Sequence, residues 1–115
     1  MRLLVVLVLF SVPMQAMATA VMADLNYCEG LALMTKATTE AKQRGETEES
    51  WRKNLQALKG YVVKNKDNVL YSVLPKVIQD VDPVWNNKLS PMDTYMASYN
   101  SCMMNDYGKA VVLTY

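Results

Sequence analysis

The chain contains no histidine, and that one absence removes a large share of enzyme chemistry. Ser-His-Asp triads, His-bearing zinc sites and imidazole general bases all need a side chain that is not there. Glycine is sparse, four in 115 residues. No Gly-rich phosphate loop, nucleophile elbow or metal-ligand cluster is present. Charge of either sign is not in excess: twelve Lys and Arg face eleven Asp and Glu. No net field therefore draws the chain to nucleic acid or anionic lipid. Cysteine is limited to Cys28 and Cys102.

What is there begins with a leader pattern. Met1-Arg2 carries one positive charge, Leu3 to Val12 is apolar except for Ser11, and Pro13 breaks the run. Ala16-Met17-Ala18 then offers the small-x-small site a signal peptidase reads. Residues 1–18 are expected to be a signal peptide, with cleavage after Ala18 first and after Ala20 or Ala23 next. The run is shorter than the roughly 20 residues a membrane span needs, so no stable membrane insertion is expected after cleavage. Bulky Tyr27 stands where a lipobox before Cys28 needs a small residue, which argues against a lipid anchor. The remainder, 19–115, is one domain by length. Its expected place is the periplasm or the extracellular space.

In an oxidising compartment two cysteines read as one bridge. Cys28–Cys102 would close nearly the whole domain into a loop. On the chain-entropy view that contributes about 4 kcal/mol, against a total stability of about 5–15 kcal/mol.

Helical periodicity covers most of the domain. A first helix is predicted from about Asp24, its cap, to Arg44, with Leu25, Cys28, Leu31 or Ala32, Thr35 and Thr38 on one face and Gly45 as its stop. That face is poor in large apolar groups. A second starts at Thr47, with Glu48 and Glu49 against the dipole's positive end. Trp51, Leu55, Leu58 and Val62 form its stripe at i, i+4, i+7 and i+11. Gly60 suggests a close helix contact. Asn65-Lys66-Asp67-Asn68 is a polar turn. In 69–88 the β-branched residues raise a strand alternative, but a helix is predicted to start near Pro75, after a short turn, and to end near Pro83. Ser90-Pro91-Met92-Asp93 places a cap, an N1 proline and an N3 carboxylate at the start of a fourth helix. Its face is read as Met92, Tyr95 or Met96, Tyr99, Cys102 and Met103, and Gly108 ends it. The tail from Lys109 to Tyr115 is expected to pack back as a strand-like strap or to fray. The fold class predicted is all-α: a small four-helix bundle with one disulfide joining the first and last helices.

This pattern resembles a known group. Cys28-Glu29-Gly30-Leu31-Ala32 opens a helix and Ala41-Lys42-Gln43-Arg44-Gly45-Glu46 closes it. A hydrophobic helix ends in Val81 to Trp85, and Ser90-Pro91-Met92-Asp93 leads to Tyr99 and Cys102. The chain so resembles the small exported α-helical two-cysteine proteins of Gram-negative bacteria and their phages. The resemblance implies periplasm, helices and a disulfide, and carries over no catalytic residues.

With histidine absent and both cysteines bridged, paired carboxylates are the only general acid-base option. Asp80 and Asp82 stand two apart, on different helix faces. No enzyme activity and no cofactor are expected. Met92, Met96 and Met103 share a face with Met104 adjacent; thioethers bind Cu(I), but methionine is more often packing or contact surface. Of the seven tyrosines, Tyr95 and Tyr99 lie one turn apart beside Cys102, and Tyr27 precedes Cys28. They form either a packed cluster around the disulfide or a Tyr/Met contact patch. Arg52, Lys53, Lys59, Lys64 and Lys66 make the middle basic, while Asp80, Asp82, Asp93 and Asp106 make the last third acidic. These read as solvated faces of neighbouring helices. No nucleic-acid partner is expected. By elimination the expected function is non-enzymatic binding of another protein, of the inhibitor, immunity or exclusion type. Tyr95, Met96, Tyr99, Arg52, Lys53 and Lys59 are the candidate contacts. The alternative is a periplasmic stress chaperone or envelope factor.

Overall fold

The computed structural model describes residues 19–115; the expected signal peptide, residues 1–18, lies outside the described residues. The order is β1 (Thr19–Met22), α1 (Leu25–Gln43), α2 (Glu48–Val62), α3 (Val69–Gln79), α4 (Val81–Asn86), α5 (Pro91–Asn105) and β2 (Ala110–Leu113). The chain is mostly helical, with Cys28 and Cys102 bonded as expected at a Cα separation of 5.5 Å. The four-helix bundle is corrected: the described residues form five helices and a two-stranded sheet.

Local sequence explains most of the boundaries. Asp24 caps α1 by accepting from the Tyr27 amide at 2.8 Å, and Gly45, at φ +89°, turns the chain after Arg44. Thr47 caps α2 through the Ser50 amide, and Ser90 caps α5 through the Asp93 amide with Pro91 at the first helical position. Each cap occupies one of the amides a helix start leaves unpaired.

The proline-bearing segment differs from expectation. The α3 helix begins at Val69, not near Pro75, and Pro75 sits inside it. A helix tolerates this poorly because the ring removes the donor for the carbonyl four residues back, here that of Tyr71. A residue from the far end of the chain takes that place: the Tyr115 hydroxyl donates to the Tyr71 carbonyl. Pro83 does not end a long helix. It stands in the first turn of the separate α4, where a missing amide costs little, and the break falls at Asp80.

The tail packs back rather than fraying. In antiparallel register Thr19 pairs with Leu113, Ala20 with Val112, Val21 with Val111 and Met22 with Ala110. Beneath the ribbon the Ala23 amide donates to the Lys109 carbonyl, and the Ala23 carbonyl accepts from the Gly108 amide. Beyond it the Tyr115 ring stacks on Tyr71, centroids 4.9 Å apart.

The core gathers Leu31, Leu55, Val62, Val73, Leu74, Val77 and Val81 around the disulfide, with Trp51 and Leu58 partly buried at its edge. Leu25, expected on the inner face of the first helix, is exposed. Thr35 and Thr38, expected on the same face, are buried, their hydroxyls donating to the Leu31 and Met34 carbonyls one turn back. Gly60 makes no close helix contact; a methyl added there would meet nothing within 4 Å.

Candidate functional site

Helices α1 and α5 form the most extensive helix pair, and small side chains let them approach. Cys28 and Cys102 join them covalently. The Thr39 hydroxyl donates to that of Thr94 at 3.1 Å, and the Ser98 hydroxyl reaches that of Thr35 at 3.3 Å. Only Thr94 and Cys102 of α5 are fully buried. The inner face of α5 is thus centred on hydroxyls and sulfur, with Tyr99 and Met103, which its sequence pattern grouped with Cys102, packed half-buried at its edge.

Other large residues of α5 are turned away. Met92 and Met96 are 56% and 47% exposed. Tyr95 and Tyr99, one turn apart, are half-buried with near-parallel rings, centroids 6.1 Å apart. Tyr99 and Met103 lean against the core, whereas Met104 points to solvent. A stacked tyrosine pair flanked by exposed thioethers presents broad, amphipathic area that is already rigid.

The structure brings Tyr95, Met96 and Tyr99 together on this face. It does not join the basic candidates to them through any ion pair, hydrogen bond or ring contact of the described residues. Arg52 pairs with Glu48 at 3.0 Å and Lys53 with Glu49 at 3.6 Å, both along α2. Lys59, half-buried, lines a hollow of about 370 Å³ with Pro75, Ile78 and Tyr115.

A larger groove, about 490 Å³, was not apparent from the sequence. It runs between α1 and α5 and is closed at one side by the end of α3 and by α4. Leu31, Val84 and Cys102 give it an apolar floor, while Thr94, Ser98, Ser101 and Asn105 line its α5 wall. Asp80 and Asp106 both border it, and Lys76 pairs with Asp80 at 3.2 Å. The buried phenol of Tyr27 has its pKa raised, first by burial and then by the negative charges of Asp106 and Asp80. One sequence signal pointed here. Asp106 follows a helix whose last turn has no basic residue, so a carboxylate faces the negative end of the helix dipole. Asp82 is exposed and does not join Asp80. Among the described residues no group of three or more His, Cys, Asp or Glu gathers as a metal site. No helix among them is long and apolar enough to cross a membrane.

No family model, curated protein or solved structure matches the chain.

Proposed function

We propose that the protein is exported, loses residues 1–18, and acts without catalysis by binding another protein through the outer face of α5. Tyr95, Met96 and Tyr99 are the central contacts, with Met92 beside them. The observation that carries this reading is the layout of α5: Met92 and Met96 face solvent beside the half-buried, stacked Tyr95 and Tyr99, while a disulfide and hydroxyl pairs hold its inner side. Tyrosine and methionine supply contact area, and a face that is rigid before docking loses little entropy on binding. Arg52, Lys53 and Lys59 would form a separate basic contact on α2. The bound partner would be met as an inhibitor, immunity or exclusion factor meets its target.

Processing after Ala18 fits this reading best among the three positions. It leaves Thr19 as the first residue of β1, whereas a cut after Ala23 would remove the strand and the fully buried Ala23 with it.

The test is site-specific photo-crosslinking from position 96 in the exported protein, compared with a Tyr95→Ala/Tyr99→Ala background. A discrete adduct that disappears in the double variant, with circular dichroism unchanged, supports the assignment. Equal capture by both, or no adduct from position 96, overturns it.

A second reading, a stress chaperone of the cell envelope, is favoured by the exposure of Met22, Met104 and Val112 as well, since methionine-rich surfaces adapt to many clients. Acidification should then raise the binding of an apolar dye, while a rigid inhibitor should keep its dye binding constant.

A further inference from the structure

We propose that Met92 and Met96 form an oxidation site, where a peroxide converts the thioethers to sulfoxides and turns the outer face of α5 from apolar to polar while the fold stays intact. The site deepens the docking role proposed for that face and, in its effect on a partner, rests on it.

The sulfur atoms of the described residues fall into three groups. Cys28 and Cys102 are bonded to each other, and no free cysteine remains among these residues. Met34 and Met103 are half-buried and pack against the core. Met22, Met92, Met96 and Met104 are exposed, by 60%, 56%, 47% and 82%. An exposed thiolate is ordinarily the first target of a two-electron oxidant. With both cysteines already oxidised, the exposed thioethers stand first in line.

In the reaction the thioether sulfur attacks one oxygen of hydrogen peroxide. An S–O bond forms, the O–O bond breaks, and the second oxygen leaves as water with both protons. Sulfur gives up two electrons and the peroxide takes them. A thiol-dependent sulfoxide reductase reverses the change: the oxygen departs as water while two thiols of the reductase become a disulfide.

The layout of α5 separates this chemistry from stability. Its seam with α1 is held by the disulfide and by the Thr39–Thr94 and Ser98–Thr35 hydroxyl pairs, none of which contains a thioether. A sulfoxide formed on the outside stays hydrated, so the fold loses little by it. Docking is affected differently. Met92 and Met96 lie one turn apart on α5, beside the paired rings of Tyr95 and Tyr99, and a partner covering them would have to strip water from the new S=O groups. Burying such a polar group without a hydrogen bond should weaken capture about tenfold.

The test exposes the disulfide-intact chain to graded hydrogen peroxide and maps oxygen uptake by peptide mass spectrometry. Met22, Met92, Met96 and Met104 are expected to gain one oxygen each before Met34 and Met103 react, with an unchanged urea midpoint. Retention on an apolar column should fall in the parent chain and fall less in Met92→Leu/Met96→Leu, which leaves Met22 and Met104 to oxidise. The proposal is overturned if Met34 or Met103 reacts as readily as Met96, if the urea midpoint drops with the first oxygens, or if the leucine variant loses as much retention. Photo-crosslinking from position 95 supplies the partner arm. An adduct lost on oxidation of the parent but kept in the leucine variant supports the proposal, and an adduct that survives in the oxidised parent overturns it. No adduct from the untreated chain counts against the docking role alone, and the oxidation site is then decided by the mapping and the column.

Discussion

Helices α2 and α5 are each fifteen residues long and each begins with a side-chain cap, yet they are held in place by different forces. In α2 the stripe Trp51, Leu55, Leu58 and Val62 turns inward, and its charged residues pair among themselves on the outside. In α5 the fully buried residues are Thr94 and Cys102, with Tyr99 and Met103 half-buried beside them, and Met92, Met96 and Met104 face water. The first helix is stabilised by apolar burial, which leaves its outer face mostly polar, with Tyr61 the large side chain exposed there. The second is stabilised in large part by a covalent bond and hydroxyl pairs, which leaves Met92, Met96 and Met104 free. Freedom of that kind is what a contact surface requires.

The sharpest way to break this contrast is to remove the disulfide. Replacing both cysteines by serine should lower stability by about 4 kcal/mol, read by urea denaturation, because a closed loop with a 74-residue separation is opened in the unfolded chain. A loss below about 1 kcal/mol would mean that the hydroxyl pairs alone suffice, since each such bond is worth about that much. Next in size is a paired substitution. Leu55→Ala should cost about 3 kcal/mol through the cavity it leaves, whereas Met96→Ala should stay within about 0.5 kcal/mol. If the two costs were alike, α5 would be an ordinary amphipathic helix and its outer face no candidate for docking.

Between these extremes stands α3, an apolar helix with a gap in its ladder. Tyr115→Phe removes the donor that replaces the missing amide of Pro75 and should cost about 1 kcal/mol. In a Pro75→Ala background the amide returns, and the same substitution should cost less; a double-mutant cycle measures the coupling. The Tyr115 phenol has its pKa pushed from 10.0 up to about 12, by burial and then by Tyr71. A raised folded value means that its contribution is fully present below pH 10.0 and is lost as pH rises through about 12. Urea midpoints should fall over that window in the parent chain, and less so in Tyr115→Phe.

These elements also show where sequence reading stops. The α2 helix was legible because its stabilising pattern is local, a stripe repeating within fifteen residues. The start of α5 and the Cys28–Cys102 bridge were legible for similar reasons: a capping triplet, and only two thiols to pair. The start of α3 was misplaced because Pro75 breaks a local rule, and its remedy, the Tyr115 hydroxyl, lies 44 residues along the chain from the Tyr71 carbonyl it reaches. β1 was hidden because four residues following a leader pattern form a strand only when Val111 and its neighbours lie beside them. The Tyr95, Met96 and Tyr99 trio was visible as a group, but its direction was not, since the spacing of Met92, Tyr99 and Cys102 fits one helical face equally well turned in or out. The groove was beyond reach: Leu31, Asp80 and Asp106 lie far apart in the sequence and line it together only in the folded chain.

The smallest effects test the contrast by sign. Gly60 sits in α2 with open space around it, so Gly60→Ala should raise stability by about 0.5–1 kcal/mol through helix propensity alone. Thr94→Val in α5 exchanges one β-branched side chain for a more apolar one of nearly the same shape, a change that a helix held by apolar burial would welcome. Here it should lower stability by about 1 kcal/mol, because the buried Thr39 hydroxyl loses the acceptor it reaches at 3.1 Å. Thermal unfolding of the two variants against the parent chain separates the cases. A gain in both would show that hydroxyl pairing does not hold α5, and its exposed methionines would then need another explanation than a seam built of small polar groups.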